Sequence, residues 1–202
     1  MSTVAKGTAF ENRVFAAVQA ELTADRLGLS PALARPYVRK AYYSRDRDAD
    51  IITDVSIEVW IPSADSWSIL WVCECKDYSG SVPVDDVEEF KAKLDQIAGA
   101  NKKGVMAVSG ALQGSALRYA RANGIGVIRL LPDDQVEHVL YKMTAASLAS
   151  MSRLNPTEFN LALMRPSFVG RNRGFYAAAD GYIFGSWGAI LKHGLQIPQP
   201  SP

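Results

Sequence analysis

The residues best suited to chemistry lie together in one short segment, Cys73-Glu74-Cys75-Lys76. On an extended chain Glu74 and Lys76 project to one face and the two cysteines to the other, so a carboxylate and an ammonium stand side by side among apolar neighbours. Asp54, at the start of the preceding alternating segment, can approach Glu74 once the two segments pair. Two carboxylates converging with a lysine can hold a divalent cation through oxygen ligands, leaving the lysine beside a water or a phosphate. Phosphodiester hydrolysis needs that combination. The cation neutralises the phosphate and acidifies a water, and the lysine orients or activates that water and offsets charge in the transition state. Glu-x-Lys alone is more often the pattern of a surface ion pair or a cross-strand pair. Asp54, a glutamate (Glu11) on the first helix, and the order of the elements that follow set this instance apart.

The elements that must position these groups are legible in the hydrophobic pattern. Phe10, Val14, Val18 and Leu22 recur every four residues and predict a helix from Gly7 to about Leu27, with Thr8 and Glu11 as a capping box. Ser30 to Arg47 is mixed and basic, and Pro31 and Pro36 interrupt it. Ile51 to Ile61 alternates as a strand, Pro62 to Ser66 turns, and Trp67 to Lys76 is a second strand, predicting an antiparallel hairpin. A helix over Val84 to Ala98, a buried strand over Gly104 to Ser109, a helix over Gly114 to Asn123 ending at Gly124, a strand over Ile125 to Leu131 and a helix over Asp133 to Met143 follow. Helix, hairpin, helix, strand, helix, strand, helix predicts an α/β chain with a mixed sheet flanked by helices.

Beyond about Ala145 the character changes. A helical stretch to Met164 precedes an aromatic, Gly-rich segment in which Asp180-Gly181 joins Phe175–Ala179 to Tyr182–Trp187 as a hairpin. The expected organisation is a domain over residues 1–145 and an appendage over 146–202 with a disordered PQPSP tail.

Several function classes are disfavoured. The 22 basic and 21 acidic residues give a net charge of +1, which excludes coating nucleic acid by bulk charge but not a local basic groove. Apolar runs fall short of the ~20 residues that cross a bilayer, so no membrane partner is expected. Two cysteines one residue apart make neither a disulfide framework nor a zinc knuckle, and point to a reducing, cytoplasmic setting as packed side chains. His138 and His193 have no second ligand at metal spacing. No Gly-rich turn follows an early strand, which argues against a Rossmann-like nucleotide enzyme. Asp50 is the rival to Asp54 but sits in a charged loop, and Glu58 reads as a cross-strand partner. Arg39, Lys40, Arg45 and Arg47, interleaved with Tyr43 and its neighbours, are candidates for a phosphate backbone with base stacking. The bland reading of the same residues is a solvated loop.

In this order, KGTAFE (residues 6–11), YYSRDR (42–47), DIITDVSIEV (50–59), ECKDY (74–78), VPVDDVEEF (82–90) and ALQGSALRYA (111–120) resemble the PD-(D/E)xK nuclease superfamily in its type IV, Mrr-like restriction endonuclease branch. The resemblance implies a restriction-endonuclease-like mixed sheet with core order αβ(β)βαβαβ. It places Asp54 in the first acidic position, with Thr53 where the motif has proline, and Glu74 and Lys76 in the (D/E)xK pair. Glu11 matches the first-helix glutamate, and Gln96, or more loosely Gln113, the glutamine after the ExK strand. The implied activity is Mg²⁺-dependent cleavage of DNA in restriction of foreign or modified DNA. Asp54, Glu74 and the Cys75 backbone carbonyl would be ligands, and Mn²⁺ a substitute cation. A homodimer is expected on the geometric need to reach both strands. The rival reading is an inactive nucleic-acid-binding or assembly module that keeps the fold.

Overall fold

In the computed structural model, which describes residues 3–24, 27, 32–99, 101–138 and 154–195, the four-residue apolar recurrence forms helix α1 (Thr3–Thr23). Phe10, Val14, Val18 and Leu22 are each at most 4% exposed; at about 1.5–3 kcal/mol per buried large side chain they contribute roughly 6–12 kcal/mol. The helix starts upstream of Gly7, which corrects the expected capping box. Thr8 and Glu11 lie inside it, and both instead accept hydrogen bonds from Arg39.

Three antiparallel strands follow: β1 (Ala34–Ser44), β2 (Ala49–Val59) and β3 (Ile69–Lys76). The expected hairpin is β2–β3. Strand β1 lies where the sequence shows only a mixed, proline-interrupted stretch. It forms the edge of the sheet, where Pro36 is tolerated because an edge strand need not donate along its whole length. Next come α2 (Val84–Gln96), β4 (Lys102–Val108), α3 (Gly114–Ala122) and β5 (Gly126–Leu130), as the periodicity predicts. Strands β3, β4 and β5 run parallel, with α2 and α3 as crossovers. Gly124, at φ 64°, takes the left-handed turn after α3.

The helix expected over Asp133 to Met143 is corrected as far as it is described. A single 3-10 turn (Asp133–Gln135) leads into β6 (Val136–Glu137), which pairs in parallel with β7 (Gly170–Arg171). Gln135 is held by Arg129 and the Pro166 carbonyl, and this tether draws the chain into extended pairing. Residues 139–143, the stretch 145–153 and the tail lie outside the described residues. Helix α4 (Pro156–Met164) is capped by Asn155, which accepts from the Thr157 and Glu158 amides. Asp180 (φ 49°) and Gly181 (φ 82°) turn β8 (Phe175–Ala179) into β9 (Tyr182–Phe184), and α5 (Trp187–Gly194) closes the described chain.

Strand β8 pairs antiparallel with β5, so the hairpin continues one seven-stranded sheet of order β1-β2-β3-β4-β5-β8-β9. One core lies under α1 and α5, with Trp71, Cys73, Val105 and Ile128; the other lies under α2, α3 and α4, with Val72, Phe90, Met106 and Tyr176. Arg129, 1% exposed, ties the second layer to the sheet. Its five N–H groups donate to Gln135 Oε1 and to the carbonyls of Ser109, Ala162, Arg165 and Pro166. No described helix is long and apolar enough to cross a membrane.

Candidate active site

A break in strand alternation places Asp54. Ile51 belongs to the α2-side core, whereas Val55, Ile57 and Val59 belong to the α1-side core, so the alternation slips between them. The ladder between β1 and β2 omits the Arg39–Asp54 step, and Arg39 there has φ 52°. A non-glycine residue in that region costs of order 1–3 kcal/mol, strain of the kind that clusters at functional sites. Asp54 lies mid-strand in β2, but pairing with β3 ends at Val55–Cys73. The same register continued one step would set Asp54 against Glu74, whose charge does act on Asp54. The Cys75 amide, which β2 no longer pairs, donates instead to Asp54 Oδ2 at 2.7 Å. A strand residue's N–H and C=O face the same neighbour, so the Cys75 carbonyl faces this gap too.

Glu74, 5% exposed, gathers cations. Its Oε1 lies 2.9 Å from Lys93 Nζ and 3.5 Å from Lys76 Nζ. Lys76 is also 3.5 Å from Asp86, and Lys93 is 3.3 Å from Glu89. Burial lowers the affinity of both lysines for their protons, but the carboxylates outweigh it: Glu74 and Asp86 for Lys76, Glu74 and Glu89 for Lys93. The net shift is upward and both stay ammonium at neutral pH. Lys76 is therefore a charged donor rather than a base in this state. Burial first, then repulsion from Glu74, pushes the Asp54 carboxyl up to about 6, against the opposing Cys75 hydrogen bond. Glu11 repels Asp54 more weakly and is itself held by Arg39, with 2.9 Å between Oε2 and Nε. Cys73 and burial raise the Cys75 thiol, so it is packed and protonated rather than nucleophilic.

Asp54 thus lies within electrostatic reach of Glu74 and, more weakly, Glu11, while Lys76 pairs with Glu74. The basic and aromatic candidates divide into separate groups. Arg39 is taken up by Glu11 and Thr8. Lys40 pairs with buried Glu58, the cross-strand role expected of that glutamate, and its ammonium lies 3.7 Å from the centre of the Tyr37 ring. Tyr43, half exposed, donates to Asp48, and Arg47 donates to Gln96, so the β1–β2 turn with Arg45 docks on the end of α2. Gln113 stands apart as the exposed N-cap of α3. Sequence reasoning passed over Lys93 and Asp86. Their signal was present: Asp86, Glu89, Lys93 and Gln96 recur at helical spacing in a polar stripe beside the apolar stripe of Val87, Phe90 and Leu94.

The donor set fits a hard divalent cation. Two carboxylates press on one another, a backbone carbonyl faces the same gap, and ammonium groups already occupy the cation's electrostatic place beside Glu74. Among the described residues no cluster of three or more His, Cys, Asp or Glu is assembled as a metal site. Two carboxylates are what Mg²⁺ commonly takes when water and phosphate supply the remaining positions.

No curated protein matches the chain. Among solved structures, a repair endonuclease from Pyrococcus abyssi is 20% identical with a TM-score of 0.36, the match covering 58% of this chain and 47% of that one. The chain thus spans about half the length of that enzyme. A protein of unknown function, AF1548, is 13% identical with a TM-score of 0.39, covering 75% of this chain and 79% of that one. Residues 7–140 match the Mrr-type catalytic domain family described as restriction endonuclease, well over half of the chain, and the chain belongs to that family of endonuclease-type nucleases.

Proposed function

We propose that the chain is a Mg²⁺-dependent endodeoxyribonuclease that hydrolyses DNA phosphodiester bonds in defence against foreign or modified DNA. The observation that supports the reading is the electrostatic reach of Glu74 on Asp54, just past the point where the β2–β3 ladder ends, with the Lys76 ammonium 3.5 Å from Glu74. Like charges directly opposite on neighbouring strands are destabilising unless something compensates them. Ammonium groups compensate Glu74 in the absence of metal; a divalent cation would take over that compensation and would supply Lewis acidity toward the phosphate and its water.

The chain's own groups do the rest. Asp54, Glu74 and the Cys75 carbonyl would hold the cation. Asp54 is fixed for this by the Cys75 amide. Lys76, steadied between Glu74 and Asp86, orients the attacking water and donates to the phosphate oxygen that gains charge. Glu11, steadied by Arg39, assists from the α1 side. Tyr43, Arg45 and Arg47, with Gln96 behind them, offer contacts to the DNA backbone, and Lys40 and Gln113 are more distant candidates.

The test is nicking of supercoiled plasmid with Mg²⁺ or Mn²⁺. The wild-type chain should nick, chelator should stop it, and Lys76→Ala should slow it by about 10²–10³-fold. DNA binding without cleavage in both proteins would leave a binding or assembly module as the better reading.

A further inference from the structure

One oxygen of Glu74 carries two ammonium groups. Lys76 is built into β3 two residues from Glu74 and also meets Asp86, so the strand fixes its place. Lys93 arrives from α2, 19 residues away, and sits closer, at 2.9 Å. Its ammonium pairs with two acids, Glu74 and Glu89, and its side chain is 23% exposed on a flexible stem. The Glu74 side chain is 6% exposed, and an ionised carboxylate so buried requires positive charge against it. Lys93 meets that requirement in the structure as it stands. A carboxylate oxygen that ligates a divalent cation cannot keep two ammonium donors in the same space. Both lysines are part-buried, at 18% and 23% side-chain exposure for Lys76 and Lys93; the one able to leave without disturbing β3 is Lys93, whose stem reaches in from α2.

We propose that Lys93 is a resident counter-ion of the carboxylate site. It neutralises Glu74 while the divalent cation is absent, gives way when the cation binds, and turns its ammonium outward to take a non-bridging oxygen of the DNA phosphate. The inference rests on Asp54 and Glu74 being ligands, and it adds that cation binding is an exchange rather than a simple uptake. Removing Lys93 therefore strengthens cation binding and weakens the hold on DNA.

Calorimetric titration of the full chain with Mn²⁺, without DNA, tests this. Lys93→Gln should bind Mn²⁺ about fivefold more tightly than wild type, the scale of one partly exposed ion pair. Lys93→Arg, which keeps the charge, should bind like wild type. Lys93→Met gives the same reading should Lys93→Gln not unfold cooperatively. Unchanged or weaker Mn²⁺ binding in the neutral variant, or equally tightened binding in Lys93→Arg, overturns the exchange while leaving the metal site standing. Uptake that Asp54→Asn does not diminish, or no uptake by any of the proteins, overturns the metal site and the exchange with it.

Discussion

Asp54 holds a carboxyl whose proton affinity folding has raised, from 3.8 to about 6, through burial and then Glu74. A group shifted in that direction favours the folded state when protonated, below the unfolded value. The advantage is lost as pH rises through the folded value, and above about 6 the ionised carboxylate carries its full cost. Without cation, Asp54→Asn should therefore stabilise the protein by about 1–2 kcal/mol at pH 7.5, allowing for partial solvent access, with the gain fading by pH 4. Thermal unfolding of both proteins across that range measures it, and a gain equal at both ends would refute the assignment. Under the proposed function the same substitution should abolish nicking, because the group that costs stability would be a ligand of the cation. Strand parity made the shared face of Glu74 and Lys76 legible in the sequence, whereas the slip in alternation that sets Asp54 was not. Lys93 and Asp86 were not read, because charges on an amphipathic helix resemble a solvated face until something shows what the edge of that face touches.

Among the elements, those with a strong internal period were read correctly: α1, the β2–β3 hairpin, and the α2–β4–α3–β5 run. Failures occurred where a partner decides the structure. Strand β1 is an edge with polar residues on both faces and a proline inside, so only its pairing with β2 makes it a strand. The segment after β5 has helical composition, but Arg129 seizes Gln135 and the neighbouring chain pairs with Gly170–Arg171. Arg129 itself gave no sequence signal within a short apolar strand. Its five hydrogen bonds to neutral oxygens fasten α4 and the following turn to β5. Arg129→Leu, which leaves those carbonyls without donors, should cost about 3 kcal/mol. Chemical denaturation reads this directly, and a loss below about 1 kcal/mol would show the clamp to be dispensable.

Over the whole molecule, one sheet separates two cores, and the candidate carboxylates Asp54 and Glu74 lie on β2 and β3, where the first antiparallel strands meet the central parallel run. The C-terminal hairpin was legible from Asp180-Gly181, but its attachment to β5, some 45 residues earlier, was not: a local pattern carries no information about which edge a hairpin joins. Its residues Tyr176 and Ala177 fall into opposite cores, so the segment after residue 153 completes both layers around the site. The proposed function as a whole stands on a cation that Asp54 and Glu74 would hold. Anomalous diffraction from crystals of the full chain soaked in Mn²⁺ locates it most directly. A peak within coordinating reach of both carboxylates and the Cys75 carbonyl, with Lys76 alongside, is the predicted result. Saturating Mn²⁺ with density elsewhere, or none between two ordered carboxylates that stay apart, would contradict the hydrolytic account.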